Sequence, residues 1–374
     1  MKHLYRKSQE KFLHACKTVE GRSEFSQYTS PLWDPLRKNL TTEYLQIGSK
    51  SAEKWLIISS GTYGLDFYIG SDIQTYITRM IGLNQIKLPD NISILIVHGI
   101  NPWGAAWFRP SNINNVCLNY NFAEELENVQ KKELADKNFK KLIDMYKNCE
   151  SVINTIGWKF KTYHLMKTMF YYMKYGPELF YEGVYTHQRD NNIGLHYGGL
   201  KKQNENIELE KKINIIIPED HTKVIHLDIQ TSTKKNLNYY FGTEDKKSYD
   251  FFSKIENFPA LNIRKHSIPL QSIISGIKSD KDNWISATFN IYGSGSLSRL
   301  NALRDENIFH NFNIWVENWA RDEESLWPVD SYLESHYKRK LLKCYYPAIW
   351  SWNQLAIDNS YNMFKEVLGK LGNS

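Results

Sequence analysis

Two short apolar runs with a helical pattern between them constrain the fold of this chain most strongly. The runs are KWLIISSG (54–61), which is stopped by a glycine, and ISILIVHGINPWG (92–104), which ends in a Pro–Gly loop; each is typical of a buried strand. Between them, SDIQTYITRMIGL (71–83) opens on a serine suited to a helix N-cap and has the apolar spacing of a helix. Strand, helix and strand in succession predict a βαβ unit with a partly parallel sheet, and therefore an α/β fold.

The remaining segments fit one domain built around that unit. Helices are predicted at 2–18, about 122–148, about 157–175 and through most of 297–372, and strands at 223–232 and 284–296. Residues 185–210 are rich in glycine and asparagine without a period, which predicts a long loop, and loops of that length are usually functional or mobile. Neither an internal repeat nor an interdomain linker is visible, so we expect a single domain over 1–374 with its core at about 25–355.

Charge and cysteine usage narrow the classes of partner. The formal net charge is +6, but the lysines occur in scattered pairs and form no basic run interleaved with aromatics, so we expect no nucleic-acid partner. Four cysteines without a C-x-x-C pair favour a reduced cytoplasmic location. The sequence has neither a signal-type segment nor an 18-residue apolar run, so we also expect no membrane partner. Nothing in it predicts an oligomeric state.

Polar side chains follow three of the predicted strands. The pairs are Tyr63 with Asp66, Asp228 with Gln230, and Asn290 with Tyr292. In open α/β sheets, ligands bind at the carboxyl ends of strands, so these pairs are candidates for one site. Loop-facing polar residues are common, and no single pair identifies a site.

Two longer stretches carry a resemblance to a known family. SSGTYGLDFYIGS (59–71) and VHGINPWGAAWFRPSNINNVCLNYNF (97–122) resemble the zinc carboxypeptidase-like superfamily, in its bacterial branch of uncharacterised peptidase-like proteins. That branch reads S-G-T-H-G-x-E-G in the first stretch, and V-H-x-x-N-P-x-G-x-x-W-x-R followed by N-V-D-L-N-R-N-F in the second. Four further stretches agree in order: GVYTHQRDNNIGLHYGG (183–199), HLDIQTS (226–232), LNALRDENIFHNF (300–312) and YYPAIWSW (345–352).

The resemblance implies a fold and a catalytic apparatus. The fold is a mixed, twisted eight-stranded sheet with helices on both faces. In the family, three side chains bind zinc and a glutamate on a late strand activates the zinc-bound water. The three ligand positions hold Tyr63, Asp66 and Gln230 in this sequence, and the glutamate position falls on Asn290.

The residues that the family uses for substrate are partly kept. The arginine that polarises the scissile carbonyl is retained as Arg109. Of the Asn-Arg pair that holds the terminal carboxylate, Asn119 remains and the arginine has become Tyr120. The loop with the Tyr-Thr-His motif contributes His187 as a further candidate for substrate binding.

These replacements remove the chemistry that the family needs. A phenol has a reference pKa near 10, so Tyr63 is expected to stay protonated, and Gln230 is neutral, which leaves Asp66 alone able to bring charge to zinc. Asn290 lacks the general base, and Tyr120 lacks the bidentate fork. The sequence thus predicts a catalytically inactive protein without a cofactor, whose pocket keeps a small anionic or peptide ligand, with Arg109 facing an anion.

Two alternatives remain open. The chain could be a metal-dependent hydrolase, a peptidase or amidohydrolase, with zinc held by a different set of ligands. That set would be drawn from Asp66, His98, His187, His196, His226 and Asp228, although we place His226 and Asp228 on opposite faces of their strand. The second alternative is a partner-binding module of a larger assembly, which rests only on an aromatic content of 14%.

Overall fold

The structure is a computed structural model, and it describes residues 1–122, 126–153, 158–185, 187–234, 236–262, 283–319, 333, 335–347 and 349–373. The strands are β1 Ser23–Trp33, β2 Asn39–Ile47, β3 Lys54–Ser60, β4 Ile92–His98, β5 Lys223–Ser232, β6 Tyr239–Thr243, β7 Ala260–Asn262 and β8 Trp284–Tyr292. The helices are α1 Leu4–Cys16, α2 Phe67–Gly82, α3 Pro102–Ala106, α4 Leu126–Ala135, α5 Lys137–Ile153, α6 Trp158–Tyr175, α7 Pro177–Tyr185, α8 Asn204–Ile216, α9 Lys246–Phe252, α10 Ser296–Trp319, α11 His336–Tyr345 and α12 Trp350–Gly372.

The strands form one mixed sheet in the order β1-β2-β4-β3-β5-β8-β6-β7. The four central strands, β4, β3, β5 and β8, run parallel to one another, while β2 and β6 flank them antiparallel. The predicted βαβ unit is present, with α2 connecting the parallel pair β3 and β4. The eight-stranded mixed sheet implied by the resemblance is therefore confirmed, and the carboxyl ends of all four central strands meet at one edge.

Helices cover both faces of the sheet, and alternate side chains of β3 pack against the helices of each face. Leu56 and Ile58 pack in a cluster with side chains of α1, α2 and α12, while Trp55 and Ile57 pack in another with Leu209 and Ile213 of α8. Because both faces are buried, the strand reads as a continuous apolar run in the sequence. Burial of each such side chain stabilises the fold by roughly 1.5–3 kcal/mol.

Two predicted boundaries are wrong. Helix α2 begins at Phe67 rather than at residue 71, so Ser71 lies inside the helix, and its Oγ is 2.9 Å from Nε2 of His98 instead of capping the helix. The loop predicted at 185–210 ends at Gln203, because α8 begins at Asn204. Among the described helices, none combines the length and apolar character needed to cross a membrane.

Candidate functional site

The turn after β3 brings the first motif to the carboxyl edge of the sheet. Gly61 has φ of +77°, in the left-handed region, and a Cβ there would lie 3.3 Å from Cα of Gly99. A Cβ on Gly64 would lie 2.4 Å from the carbonyl oxygen of Arg109. Both positions need glycine for backbone reasons, and the turn they allow presents Tyr63 and Asp66 at the edge where ligands bind.

Three side chains of the two motifs form a hydrogen-bonded group that we call the phenol cluster: Tyr63, Asn119 and Tyr120. Asn119 Nδ2 donates to the Tyr63 hydroxyl at 3.0 Å, and that hydroxyl donates to the Tyr120 hydroxyl at 3.1 Å. Burial raises the pKa of both phenols above their ordinary value. The neighbouring Tyr120 and Cys117 raise the pKa of Tyr63 further, and Cys117 also raises that of Tyr120, against the lowering effect of the hydrogen bond from Tyr63. Both phenols are therefore neutral hydrogen-bonding groups at physiological pH.

A buried charged network supports Tyr120 from behind. The ring of His187 stacks on Tyr120 with centroids 4.7 Å apart, and His187 Nε2 lies 2.7 Å from Oε1 of Glu133. Arg189 donates to Oε2 of Glu133 at 3.2 Å and to the Tyr120 carbonyl at 2.8 Å. Burial acts to raise the pKa of Glu133, but the bonds and charges of His187 and Arg189 outweigh it and lower the pKa. His187 thus holds Tyr120 in place with a buried side chain.

The glycine-rich loop at 187–203 is fastened to the segment that carries Asn119 and Tyr120. Cys117 N donates to the Tyr197 carbonyl at 2.7 Å, and Asn121 Nδ2 donates to the Gly198 carbonyl at 2.8 Å. Burial raises the pKa of Cys117 to about 12, so its sulfur is a thiol without nucleophilic character. The loop at 187–203, which we call the strap, therefore holds the phenol cluster in place through these backbone and side-chain bonds.

Asp66 lies at the end of β5, on the other side of the turn from Tyr63. Its Oδ1 accepts bonds from the backbone N, at 3.0 Å, and from Oγ1 of Thr231, while Oδ2 is buried with no hydrogen-bond partner among the described residues. Burial raises the pKa of Asp66 to about 7, against the lowering effects of Thr231 and of the nearby Arg299. At neutral pH about half of the Asp66 side chains carry a proton.

Gln230 belongs to a second buried group, with Asp228 at its centre. Gln230 Nε2 donates to Oδ2 of Asp228 at 2.7 Å, and Ser59 and Thr62 donate to Oδ1 at 2.7 and 3.1 Å. Burial raises the pKa of Asp228 to about 6. His226 Nε2 lies 2.8 Å from Oγ of Ser59, on the same face as Asp228, so the placement of His226 and Asp228 on opposite faces is wrong. Residues two apart along a strand share a face.

Ser59, His226 and Asp228 have the residue types of a catalytic triad but not its geometry. The serine lies between the other two, so the carboxylate accepts from the serine and does not orient the imidazole. Burial lowers the pKa of His226 to about 3, and its Nδ1 has no partner among the described residues. All three side chains are at most 1% exposed. This group stabilises the core and cannot deliver a nucleophile to a substrate.

Asn290 lies beside Gln230 on the neighbouring strand. The two are register partners of the parallel pair β5 and β8, so they occupy the same face of the sheet. Asn290 Nδ2 donates to Oγ1 of Thr288 at 2.6 Å. Because an amide takes no proton, this position holds no general base.

Arg109 is the predicted site residue that the structure places elsewhere. Its guanidinium lies 3.3 Å from Oε1 of Glu306 and donates to Asn115 at 2.8 Å and to Asn307 at 3.1 Å. Lys338 Nζ lies 2.6 Å from the same glutamate oxygen. The expectation that Arg109 faces an anionic ligand in the pocket is wrong, because its side chain is 2% exposed and committed to α10 and the loop before the phenol cluster.

The three positions that bind zinc in the resembling family do not fit the metal here. The Tyr63 hydroxyl is engaged by Asn119 and Tyr120, and the Gln230 amide nitrogen points at Asp228. Oδ2 of Asp66 has no hydrogen-bond partner among the described residues, and burial raises the pKa of that carboxyl to about 7, which favours its protonated form over a metal-binding carboxylate. One such group with a phenol and an amide is not the imidazole and carboxylate set that zinc requires.

The alternative set of metal ligands is dispersed. His98 lies under α1 and α2, with Nδ1 2.7 Å from Glu43, whereas His226 points to the other face of the sheet. His196 borders a cavity of about 10 Å³ together with Arg109, and burial lowers its pKa to about 4. Across the described ranges, no three His, Cys, Asp or Glu side chains gather closely enough to hold a metal ion.

Several residues of the site were not predicted from the sequence. Glu133 lies on α4, Arg189 in the strap, Thr231 in β5 and Arg299 on α10. Arg299 donates to the carbonyls of Thr231 at 2.9 Å and of Cys344 at 3.0 Å, so it joins the end of β5 to the C-terminal helices. No spacing in the sequence connects these residues, because only the tertiary fold brings them together.

Several solved structures are similar to this chain. Carboxypeptidase A from Helicoverpa armigera is 10% identical, with 86% of this chain and 74% of that chain covered and a TM-score of 0.45. Thrombin activatable fibrinolysis inhibitor is 9% identical, with 95% of this chain and 74% of that chain covered and a TM-score of 0.45. Succinylglutamate desuccinylase from Chromobacterium violaceum is 11% identical over 80% and 70%, with a TM-score of 0.37.

A family model gives the assignment of the sequence itself. No curated protein matches the chain. The model described as "Protein of unknown function (DUF2817)" matches residues 2–359, which is nearly the whole chain. The protein therefore belongs to the DUF2817 family.

Proposed function

We propose that this protein is a carboxypeptidase-like pseudoenzyme that binds a peptide at the edge of the sheet without hydrolysing it. The observation that supports this most directly is the phenol cluster. It occupies the positions of one family zinc ligand and of the family's carboxylate-binding pair, and its members bond to one another as neutral groups. A site arranged in this way offers hydrogen bonds and aromatic surface, and neither a metal nor a base.

The charges around the cluster favour a peptide over an anion. The arginines nearest to it are committed to protein oxygens: Arg109 to Glu306, Arg189 to Glu133 and Arg299 to backbone carbonyls. The carboxyl groups of Asp66 and Asp228 lie at the same edge. An anion would meet acidic groups without an available guanidinium, whereas the amides of a peptide match phenol and carboxamide partners.

The altered metal hydrolase is less well supported. It needs three ligands at one place, and the candidates lie on opposite faces of the sheet or within separate buried networks. His187, the candidate nearest the phenol cluster, is already bonded to Glu133.

The test compares short peptides that carry a free C-terminal carboxylate with the same peptides amidated. Binding to the full chain is measured by NMR chemical-shift perturbation, and cleavage by mass spectrometry after long incubation. Because the position of the family's arginine fork holds Tyr120 here, the two forms should bind with equal affinity and remain uncut. Tyr120→Ala should weaken binding about tenfold, whereas Tyr249→Ala, at an exposed position on α9, should have no effect.

Three results would overturn the proposal. Cleavage that survives washing with a chelator, or that returns with added zinc, would make the protein an active hydrolase. A marked preference for the free acid would mean that a cation reads the carboxylate after all. If no peptide binds and the Tyr120→Ala protein behaves as the wild type, the site is structural only.

A further inference from the structure

Helix α6 exposes an apolar stripe to solvent, far from the strand ends. Met166, Met169, Phe170 and Met173 have exposed fractions of 71%, 58%, 54% and 71%. Their spacing of three, four and seven residues places all four on one face of the helix. A surface helix normally packs such a face against the core. An apolar stripe that faces water instead indicates a surface that a partner covers.

The opposite side of α6 already has its packing partners. Tyr171 and Tyr175 are packed against the cluster that contains Phe180 of α7, and the Tyr172 ring lies 5.7 Å from the Phe180 ring. The helix also contacts α5. Rotation to bury the stripe would expose these rings, so the apolar stripe is not a misplaced core face. It is a second apolar surface that the helix carries in addition to its packed side.

The charge of this region indicates what covers the stripe. Helix α6 contains four lysines and no acidic residue. Residues 126–175 contain ten lysines against five acidic residues, which is most of the excess of +6 in the whole chain. Lys174 is exposed at the end of the stripe, with Nζ 5.2 Å from the Tyr175 ring. The partner of this surface must therefore be both apolar and negatively charged.

We propose that α6 docks this protein on an anionic lipid surface. Four lysines, no acidic residue and an exposed stripe of Met and Phe are the composition of a helix that lies in the interface plane, with its apolar face about 5–10 Å deep in the headgroup boundary. The lysines meet anionic headgroups, and the unbranched methionines adapt to the acyl boundary. The expectation of no membrane partner, which came from the lack of a spanning segment, is replaced by peripheral contact.

A second copy of this chain fits the surface less well. A two-fold contact would place the stripe of one copy against the stripe of the other. It would also bring together two helices that contain lysines and no acidic residues. No acidic residue on α6 would neutralise them. The anionic surface removes this repulsion, because its charge is opposite to that of the helix. The proposal is independent of the ligand of the phenol cluster.

The full chain is tested by flotation with vesicles of phosphatidylcholine, with and without phosphatidylserine. The wild type should float with the anionic vesicles, remain behind with the neutral ones, and be released by raised salt. Replacing Met169 and Phe170 by Gln together should reduce the bound fraction at least about tenfold. The matched control is Leu355→Gln on α12, where an exposed apolar side chain lies outside the stripe.

Each alternative outcome is decisive. If the wild type binds neither vesicle, or if the Gln variant floats as well as the wild type, the proposal is wrong. Binding to both vesicle types without salt dependence removes the role of the lysines. If the wild type is a dimer by light scattering and the Gln variant a monomer, the stripe is an interface between copies of the chain and the lipid proposal falls. Circular dichroism establishes that the variants are folded.

Discussion

The hydroxyl of Tyr63 donates a 3.1 Å hydrogen bond to the hydroxyl of Tyr120. By resemblance, one of these positions belongs to a metal ligand and the other to an arginine that grips a carboxylate. The bond joins the two motifs directly through side chains that differ from those of the resembling family. The pair is a specific feature of this chain, and its strength is measurable.

Removing either phenol hydroxyl should show that coupling. We expect Tyr63→Phe and Tyr120→Phe each to lower the free energy of unfolding by about 0.5–1.5 kcal/mol. The double variant should lose less than the sum of the two, because one hydrogen bond is counted twice in the singles. Urea unfolding of all four proteins measures the difference, with Tyr249→Phe as an exposed control. Strict additivity would show that the hydroxyl contact contributes nothing.

Asp66 should make the protein less stable as the pH rises. Its pKa is about 7 in the fold against an ordinary value of 3.8, so the folded state holds the proton more tightly than the unfolded state does. The contribution is fully present below about pH 4 and is lost as the pH rises through 7, at about 1.4 kcal/mol per unit of pKa difference. Asp228, with a pKa of about 6, acts in the same direction.

Asp66→Asn removes the larger of these two titrations. The variant should gain stability relative to the wild type between pH 5 and pH 8, by a few kcal/mol, since the amide has no proton to lose. Unfolding by urea at several pH values measures this, and Asp90→Asn at an exposed position serves as the control. Parallel pH profiles for the wild type and Asp66→Asn would contradict the burial of an unpaired carboxyl.

Removal of the Glu306 charge should destabilise the protein far more than removal of Lys338, one of the two cations that it contacts. It is the only carboxylate bonded to both Arg109 and Lys338 in the described contacts. Glu306→Gln leaves these two buried positive charges facing each other, so it should lower the free energy of unfolding by about 3–5 kcal/mol. Burial, together with Arg109, lowers the pKa of Lys338 to about 8. Lys338→Met should cost less than Glu306→Gln, because Arg109 still faces Glu306 after the ammonium and its bonds to Glu306 and to the Trp107 carbonyl are lost. Equal losses in thermal or urea unfolding would contradict this ordering.

Restoring the family ligands should restore metal binding but not activity. As purified, the wild type should hold far less than one zinc per chain, measured by elemental analysis after a chelator wash. The triple variant Tyr63→His, Asp66→Glu and Gln230→His should bind zinc tightly, because the turn and strand that carry these positions are intact. Peptidase activity should stay low, since Asn290 supplies no base. Asp66→Glu alone is the control, and stoichiometric zinc in the wild type would contradict the loss of the site.

The parts of the fold that the sequence predicted well are those buried on both faces. β3, β4, β5 and β8 read as apolar runs because helices cover both sides of them. β1 was missed because SEFSQYTSPLW is an edge strand with several exposed positions and no clear apolar alternation. α8 was missed at its start because its first turn, NENI, follows a polar loop without a capping signal.

Some contacts among the candidate site residues follow from the motifs, and others do not. Tyr63, Asn119 and Tyr120 came together as the motifs implied, since both motifs end at neighbouring strand ends. Arg109 did not, because a side chain of that length reaches either the pocket or α10, and Glu306 is not adjacent to it in the sequence. Hydrogen-bond partners of buried groups are a property of the folded chain, and no local pattern encodes them.

The pairing of Gln230 with Asn290 across β5 and β8 bears on how this protein could change over evolutionary time. The two carboxamides pack side by side on one face of the sheet. Gln230→His would place an imidazole beside Asn290, and Asn290→Glu would place a carboxylate beside Gln230, so either change alters the packing of the pair. A single reverting substitution therefore brings neither a metal nor a base and disturbs a packed pair. On the proposed function, a return to hydrolysis requires several substitutions together, because no single one supplies both a set of metal ligands and a base.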